Sequence, residues 1–155
     1  MDPTVRARLA ARRPALVDQW VERTLATYPP EATRLMAAEA DPFRNPAGHA
    51  LRKNLAVLFD AAILSDDWDA AKRALGEIVR LRAVQDFSAD QAVGFIPMLR
   101  PIVEQACGPV IDIGARIDRL TKLALGMYEE CRSRMEEIRA NELRRRTWNL
   151  TRARA

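Results

Sequence analysis

The chain has 155 residues, 48% of them hydrophobic and 30% charged, with a formal net charge of +4 at pH 7. That length and balance lead us to expect one domain with a real core and exclude a disordered chain. No apolar run approaches the roughly 20 residues that cross a bilayer. Arg6, Arg8, Arg12 and Arg13 are followed by no apolar stretch of signal-peptide type, so a cytoplasmic protein is expected.

Apolar residues recur at helical spacing almost throughout, and no segment calls for a strand. Pro14 suits the first turn of a helix whose face carries Leu16, Val17, Trp20, Val21 and Leu25. Tyr28-Pro29-Pro30 ends it, because successive prolines cannot continue the backbone ladder. A short helix is expected over residues 32–40, then a loop over residues 41–48, where Pro42, Pro46 and Gly48 interrupt the chain. The next helix places Leu51, Leu55, Leu58, Phe59 and Ala62 on one side and stops near Ser65-Asp66-Asp67, where an aspartate caps its successor. That successor is expected over residues 68–84, with the stripe Trp68, Ala71, Leu75, Ile78 and Val79. Ser88 and Gln91 have the spacing of a capping box, with Phe87 and Ala92 placed for a weak staple, so a new helix starts at Ala89. Pro97 and Pro101 predict a kink in it, and Gly108-Pro109 breaks the chain again.

The last helix is expected over residues 112–146, roughly 50 Å at about 1.5 Å per residue. A compact domain of this size has a radius of gyration of only about 15 Å, so the end of this helix must project, bend or pack on a partner. Ile113, Ile117, Leu120, Ala124, Met127 and Cys131 follow alternating steps of four and three, a heptad seam that meets Arg134 and resumes at Ile138. Over residues 113–127 a core helix is the better reading. Beyond Cys131 a self-associating or docking surface is favoured. Ile117, Leu120, Ala124, Met127, Cys131 and Ile138 are the candidate dimer or partner positions.

Catalytic chemistry finds little support. His49 is the single histidine, placed in the first turn of a helix where local hydrogen bonding is its simplest use. No nucleophile is spaced near it, and neither GxGxxG nor GxxxxGK[ST] occurs. Cys107 and Cys131 lack CxxC spacing, which argues against zinc. Two reduced, buried thiols are the simpler reading, with a disulfide left open. No catalytic residue, metal or cofactor is assigned. The densest polar stretch, Arg80-Leu81-Arg82-Ala83-Val84-Gln85-Asp86-Phe87-Ser88, reads as a tied-down corner or as a small-ligand site. The ligand reading gathers Asn45, His49, Arg82, Gln85 and Asp86. Arg144, Arg145, Arg146 and Trp148 form either a solvated tail complementing the helix dipole or a docking surface for an acidic protein or membrane complex. Nucleic acid is the least favoured partner, since no known fold for it is present.

Three strings carry a family likeness: Trp20 with Thr27-Tyr28-Pro29, then Asp41-Pro42-Phe43-Arg44-Asn45-Pro46 with Gly48-His49-Ala50-Leu51-Arg52, then Arg80 to Ser88 with Gln91-Ala92-Val93-Gly94-Phe95. Together they resemble the RsbRD-type N-terminal domain of RsbT co-antagonist proteins of the stressosome, over residues 17–146. The resemblance implies a sensory input domain with a globin-like, haem-free, all-helical fold that dimerises. It also implies a C-terminal helix leading to a STAS output domain phosphorylated on threonine. His49 agrees with the absence of haem, since it precedes the helices that would face one from the proximal side. The sequence ends at Ala155 without a STAS domain, so output is expected through a partner or the dimer itself.

The expected organisation is a basic extension over residues 1–13, a helical sensor domain over 14–147 and a basic tail over 148–155. The expected protein is all-α, non-enzymatic and homodimeric, and signals through contact with an unidentified protein partner. A small-ligand receptor and an accessory subunit of a membrane or redox complex are the alternatives.

Overall fold

A computed structural model of the chain describes residues 1–38 and 41–153. Among these residues the secondary structure is entirely helical: α1 (Pro3–Ala11), α2 (Arg13–Leu25), α3 (Pro30–Ala38), α4 (Pro46–Phe59) running into a π turn (Asp60–Ser65), α5 (Trp68–Val84), α6 (Ala89–Val93), α7 (Leu99–Cys107) and α8 (Ile111–Ala153).

Residues 1–13 are not an extension. The Asp2 carboxylate accepts from the Thr4 and Val5 amides and starts α1, which buries Leu9. Three of the four arginines that made this segment read as a basic extension are ties to the bundle: Arg6 pairs with Asp66, Arg13 with Asp60, and Arg12 donates to the Ala106 carbonyl. On α2 the expected face is buried, and the Trp20 indole donates to the Phe95 carbonyl at 2.7 Å.

Pro29 and Pro30 close the turn after α2, but Pro30 also opens α3, since the first helical position needs no N–H. Residues 39 and 40 of the expected short helix lie outside the described residues. The loop after α3 ends at Asn45 rather than at residue 48. Asn45 caps α4 by accepting from the Gly48 amide at 2.9 Å and holds α3 by donating to the Met36 carbonyl at 2.8 Å. A Cβ at Gly48 would lie 2.7 Å from that same carbonyl, so only glycine permits this approach of α3 and α4.

The π turn buries Ala61, Ala62 and Ile63 and closes at Asp66 in the left-handed conformation (φ 58°). Asp67 then caps α5, which runs over the expected residues. The single kinked helix expected after Ala89 is instead two helices. Pro97 cannot donate to the Val93 carbonyl and α6 ends there, whereas Pro101 sits in the first turn of α7, where its missing N–H costs nothing. Gly108, at φ 75° and ψ −178°, takes a conformation open to glycine and ends α7.

The core gathers Trp20, Leu51, Leu55, Phe59, Leu75, Ile78, Phe95, Leu99 and Ile102 with the first half of α8. α5 lies against both α4 and α8. From α8, Ile113, Ile117, Leu120 and Ala124 are buried. Polar ties reinforce them: Arg116 donates to the Ala62 carbonyl at 2.5 Å and pairs with Asp66, while the Arg119 guanidinium lies 3.8 Å from the Trp68 ring centre. Asp66 therefore receives Arg6 from α1 and Arg116 from α8, and the bond from Arg116 is the main cause holding its carboxyl below the usual range.

Candidate functional site

α8 has 43 residues and a length of about 65 Å, roughly twice what the bundle can cover. Its two halves differ in what they touch. After Ala124 the seam passes through Met127 and Cys131, both half-buried, and reaches Ile138, which is 58% exposed. Every residue from Asn141 to Leu150 is exposed, including Leu143, Trp148 and Leu150. Where α8 leaves the core it forms, with α4 and α5, an open groove of about 740 Å³. The floor is apolar, with Val57, Ala74, Met127, Cys131, Met135 and Ile138, and the rim is mostly cationic, with Lys53, Lys72, Arg73, Arg80 and Arg134.

A second concavity of about 370 Å³ lies at the α5–α6 corner, walled by Thr27, Tyr28, Pro29, Gln85, Asp86, Phe87 and Gln91. Arg82 is fully buried against this wall. Its Nη2 donates to Thr27 Oγ1 at 3.0 Å and to the Gln91 carbonyl at 2.8 Å. Its guanidinium lies 4.4 Å from the Phe87 ring centre, 5.1 Å from Tyr28 and 5.6 Å from Phe95, a three-ring cation–π enclosure. Burial lowers the pKa of Arg82 and raises that of the Tyr28 phenol, the latter opposed by the arginine charge. The Arg82 guanidinium and the Tyr28 phenol lie against each other and each bears on the other's pKa.

The corner is fastened to α8. The Tyr128 hydroxyl donates to the Phe87 carbonyl at 2.7 Å, and Arg132 reaches Asp86 at 3.7 Å. Asp86 itself is left-handed (φ 62°).

The five residues gathered from the sequence as a ligand site divide between two places. Gln85 and Asp86 line the corner concavity with Arg82 behind its wall. Asn45 serves the α3–α4 junction, and His49 is exposed on the first turn of α4; neither lines that concavity. Of the expected partner-facing positions, Ile117, Leu120 and Ala124 are buried in their own chain, so they are core. Met127, Cys131 and Ile138 do line the groove. Arg144, Arg145, Arg146 and Trp148 lie on helix rather than in an irregular tail, and all are exposed. Cys107 and Cys131 are free thiols, each half-buried rather than buried.

Sequence reading missed Thr27, Tyr28 and Gln91 as companions of Arg82. Tyr28 was visible as a helix terminator and within a family string, but Thr27 and Arg82 stand 55 positions apart and carry no local signal of their contact. Among the described residues no group of three or more His, Cys, Asp or Glu converges as a metal cage, and no helix is long and apolar enough to cross a membrane.

The helices from α2 to the middle of α8 are also what a family model recognises: the RsbT co-antagonist protein rsbRD N-terminal domain matches residues 14–143. The chain belongs to this family. The match to the RsbRD N-terminal domain takes in the corner concavity, the groove and α8 as far as Leu143. No curated protein and no solved structure matches the chain.

Proposed function

We propose that this RsbRD-type domain is a non-enzymatic input module that pairs with a second copy through the distal half of α8 and relays its state by protein contact. The single observation behind the reading is the run of exposed apolar side chains on a helix that has left its own core. Ile138 is 58% and Trp148 65% exposed, although both continue the heptad register of the buried Leu120 and Ala124. A lone projecting helix is marginal in water because packing, not propensity, supplies most helical stability. A second copy laying its own seam along Met127, Cys131 and Ile138 supplies that packing in coiled-coil fashion. The family's place among stressosome proteins supports a signalling role, and pairing through a shared helix gives such a domain a mechanical output.

Light scattering after size-exclusion tests this reading. At tens of micromolar we expect twice the 17.5 kDa chain mass, and a return towards one chain mass with Ile138→Glu and Trp148→Glu together. A wild-type mass of 17.5 kDa throughout contradicts it.

A further inference from the structure

We infer that the groove between α4, α5 and the emerging α8 takes the acidic stretch of a second copy's α8, residues 129–142, each copy receiving the other's. The inference rests on the pairing proposed above and adds to it a surface of the domain body, the α4–α5 wall, that the α8 seam alone does not call for.

The flanks of the seam carry the first argument. In the heptad register Glu130 and Glu137 immediately precede the seam residues Cys131 and Ile138, and Tyr128, Met135 and Glu142 immediately follow Met127, Arg134 and Asn141. These flanking columns hold carboxylates and no cation. Pairing of α8 with α8 over this stretch, in either direction, therefore brings carboxylate towards carboxylate, and like charge at flanking positions opposes a coiled coil. The missing cations stand on the groove. Lys53, Lys72, Arg73, Arg80 and Arg134 line it against two carboxylates, Glu77 and Glu130, so its sign is positive. Arg80 is taken by Glu77, whereas Lys53, Lys72, Arg73 and Arg134 make no ion pair among the described residues.

The walls make the same demand on shape. Val57 on α4 and Val84 on α5 line the groove and are 39% and 60% exposed. A partner seated on α8 alone leaves both in water, whereas a helix laid in the groove meets them. On the incoming stretch Cys131, Met135 and Ile138 stand at i, i+4 and i+7, the spacing by which an amphipathic helix sets its apolar face into a groove. The unbranched Met127 and Met135 on the receiving side adapt to such a face. Charge also decides which part of the helix enters. Beyond Glu142 come Arg144, Arg145 and Arg146, which would meet a rim of their own sign, so the arginine-rich end lies outside the groove.

Sedimentation velocity of the full chain over a dilution series tests this with charge-reversed variants. Lys72→Glu/Arg73→Glu alters the groove, and Glu137→Lys/Glu142→Lys alters the stretch. Arg8→Glu/Arg44→Glu makes the first charge change outside the groove, and all these positions are exposed. The groove variant and the stretch variant should each self-associate at least about tenfold more weakly than wild type, and the control within about twofold of it. An equimolar mixture of the groove and stretch variants has complementary charge in both grooves of a mixed pair, and is expected to pair as wild type does. A groove variant that pairs like wild type overturns the inference. So does a control that weakens pairing as much, or a mixture that stays unpaired. A wild-type chain of single mass sinks the pairing and this inference with it, whereas a wild-type pair indifferent to Lys72→Glu/Arg73→Glu sinks this inference alone.

Discussion

The two halves of α8 share one helix and one heptad register yet meet opposite environments. In the proximal half, Ile113, Ile117, Leu120 and Ala124 are enclosed by α5, α6 and α7. In the distal half, the register positions after Cys131 are Arg134, Ile138, Asn141, Arg145 and Trp148, all of them exposed. The contrast teaches that seam periodicity reports which side of a helix is meant to be covered, but not by what. The proximal seam is covered from within. The distal seam mixes apolar and cationic residues, which suits a surface that parts and rejoins better than a permanent core.

Substitutions on the same register should separate the halves sharply. Leu120→Ala removes a fully buried side chain and is expected to cost about 2–5 kcal/mol in urea unfolding. Ile138→Ala, measured in dilute protein, should stay within about 0.5 kcal/mol. Equal losses at the two positions would show that the distal half is covered by its own chain.

The junction between the halves comes next. Tyr128→Phe deletes the bond to the Phe87 carbonyl and should cost about 1 kcal/mol, with faster amide exchange confined to residues 85–91 and the adjoining turn of α8. An unchanged exchange pattern would remove the corner as a link to α8.

A smaller effect follows at the anchor of the proximal half. The Asp66 carboxyl is held below its ordinary pKa chiefly by the hydrogen bond from Arg116, so its contribution is present above the ordinary carboxylate range and fades as pH falls through the folded value. Because the side chain is two-fifths exposed, solvent weakens the pair. Asp66→Asn, which tolerates the left-handed backbone, should lower Tm modestly at neutral pH, with the gap to wild type closing below about pH 4. A gap that widens on acidification would contradict this assignment.

Much of the architecture was legible because helix stripes and stops are local. α5 could be bounded from Asp67 and its apolar spacing, and the faces of α2 and α4 from theirs. α1 was hidden because the basic segment looks like an extension until Asp66 is placed beside Arg6 and Asp60 beside Arg13 at the start of α2. The kink expected at Pro97 became a break because Pro97 cannot donate to the Val93 carbonyl, which takes the Ile96 amide in a tighter turn instead. The enclosure of Arg82 was legible only as a dense polar string. Its rings come from three separate places, Tyr28, Phe87 and Phe95, and only the packed chain brings them together. The seam of α8 was legible in full: a core helix was the better reading over residues 113–127, and Ile117, Leu120 and Ala124 are buried, although the same register had also made them candidate partner positions.

Amide hydrogen exchange along α8, in wild type and in the Ile138→Glu/Trp148→Glu variant, tests the central claim most directly. The account predicts protection in both halves of the wild-type helix, and loss of it in the variant only beyond Cys131, with residues 113–124 unchanged. A wild-type distal half that exchanges freely, or one equally protected in both proteins, would contradict it.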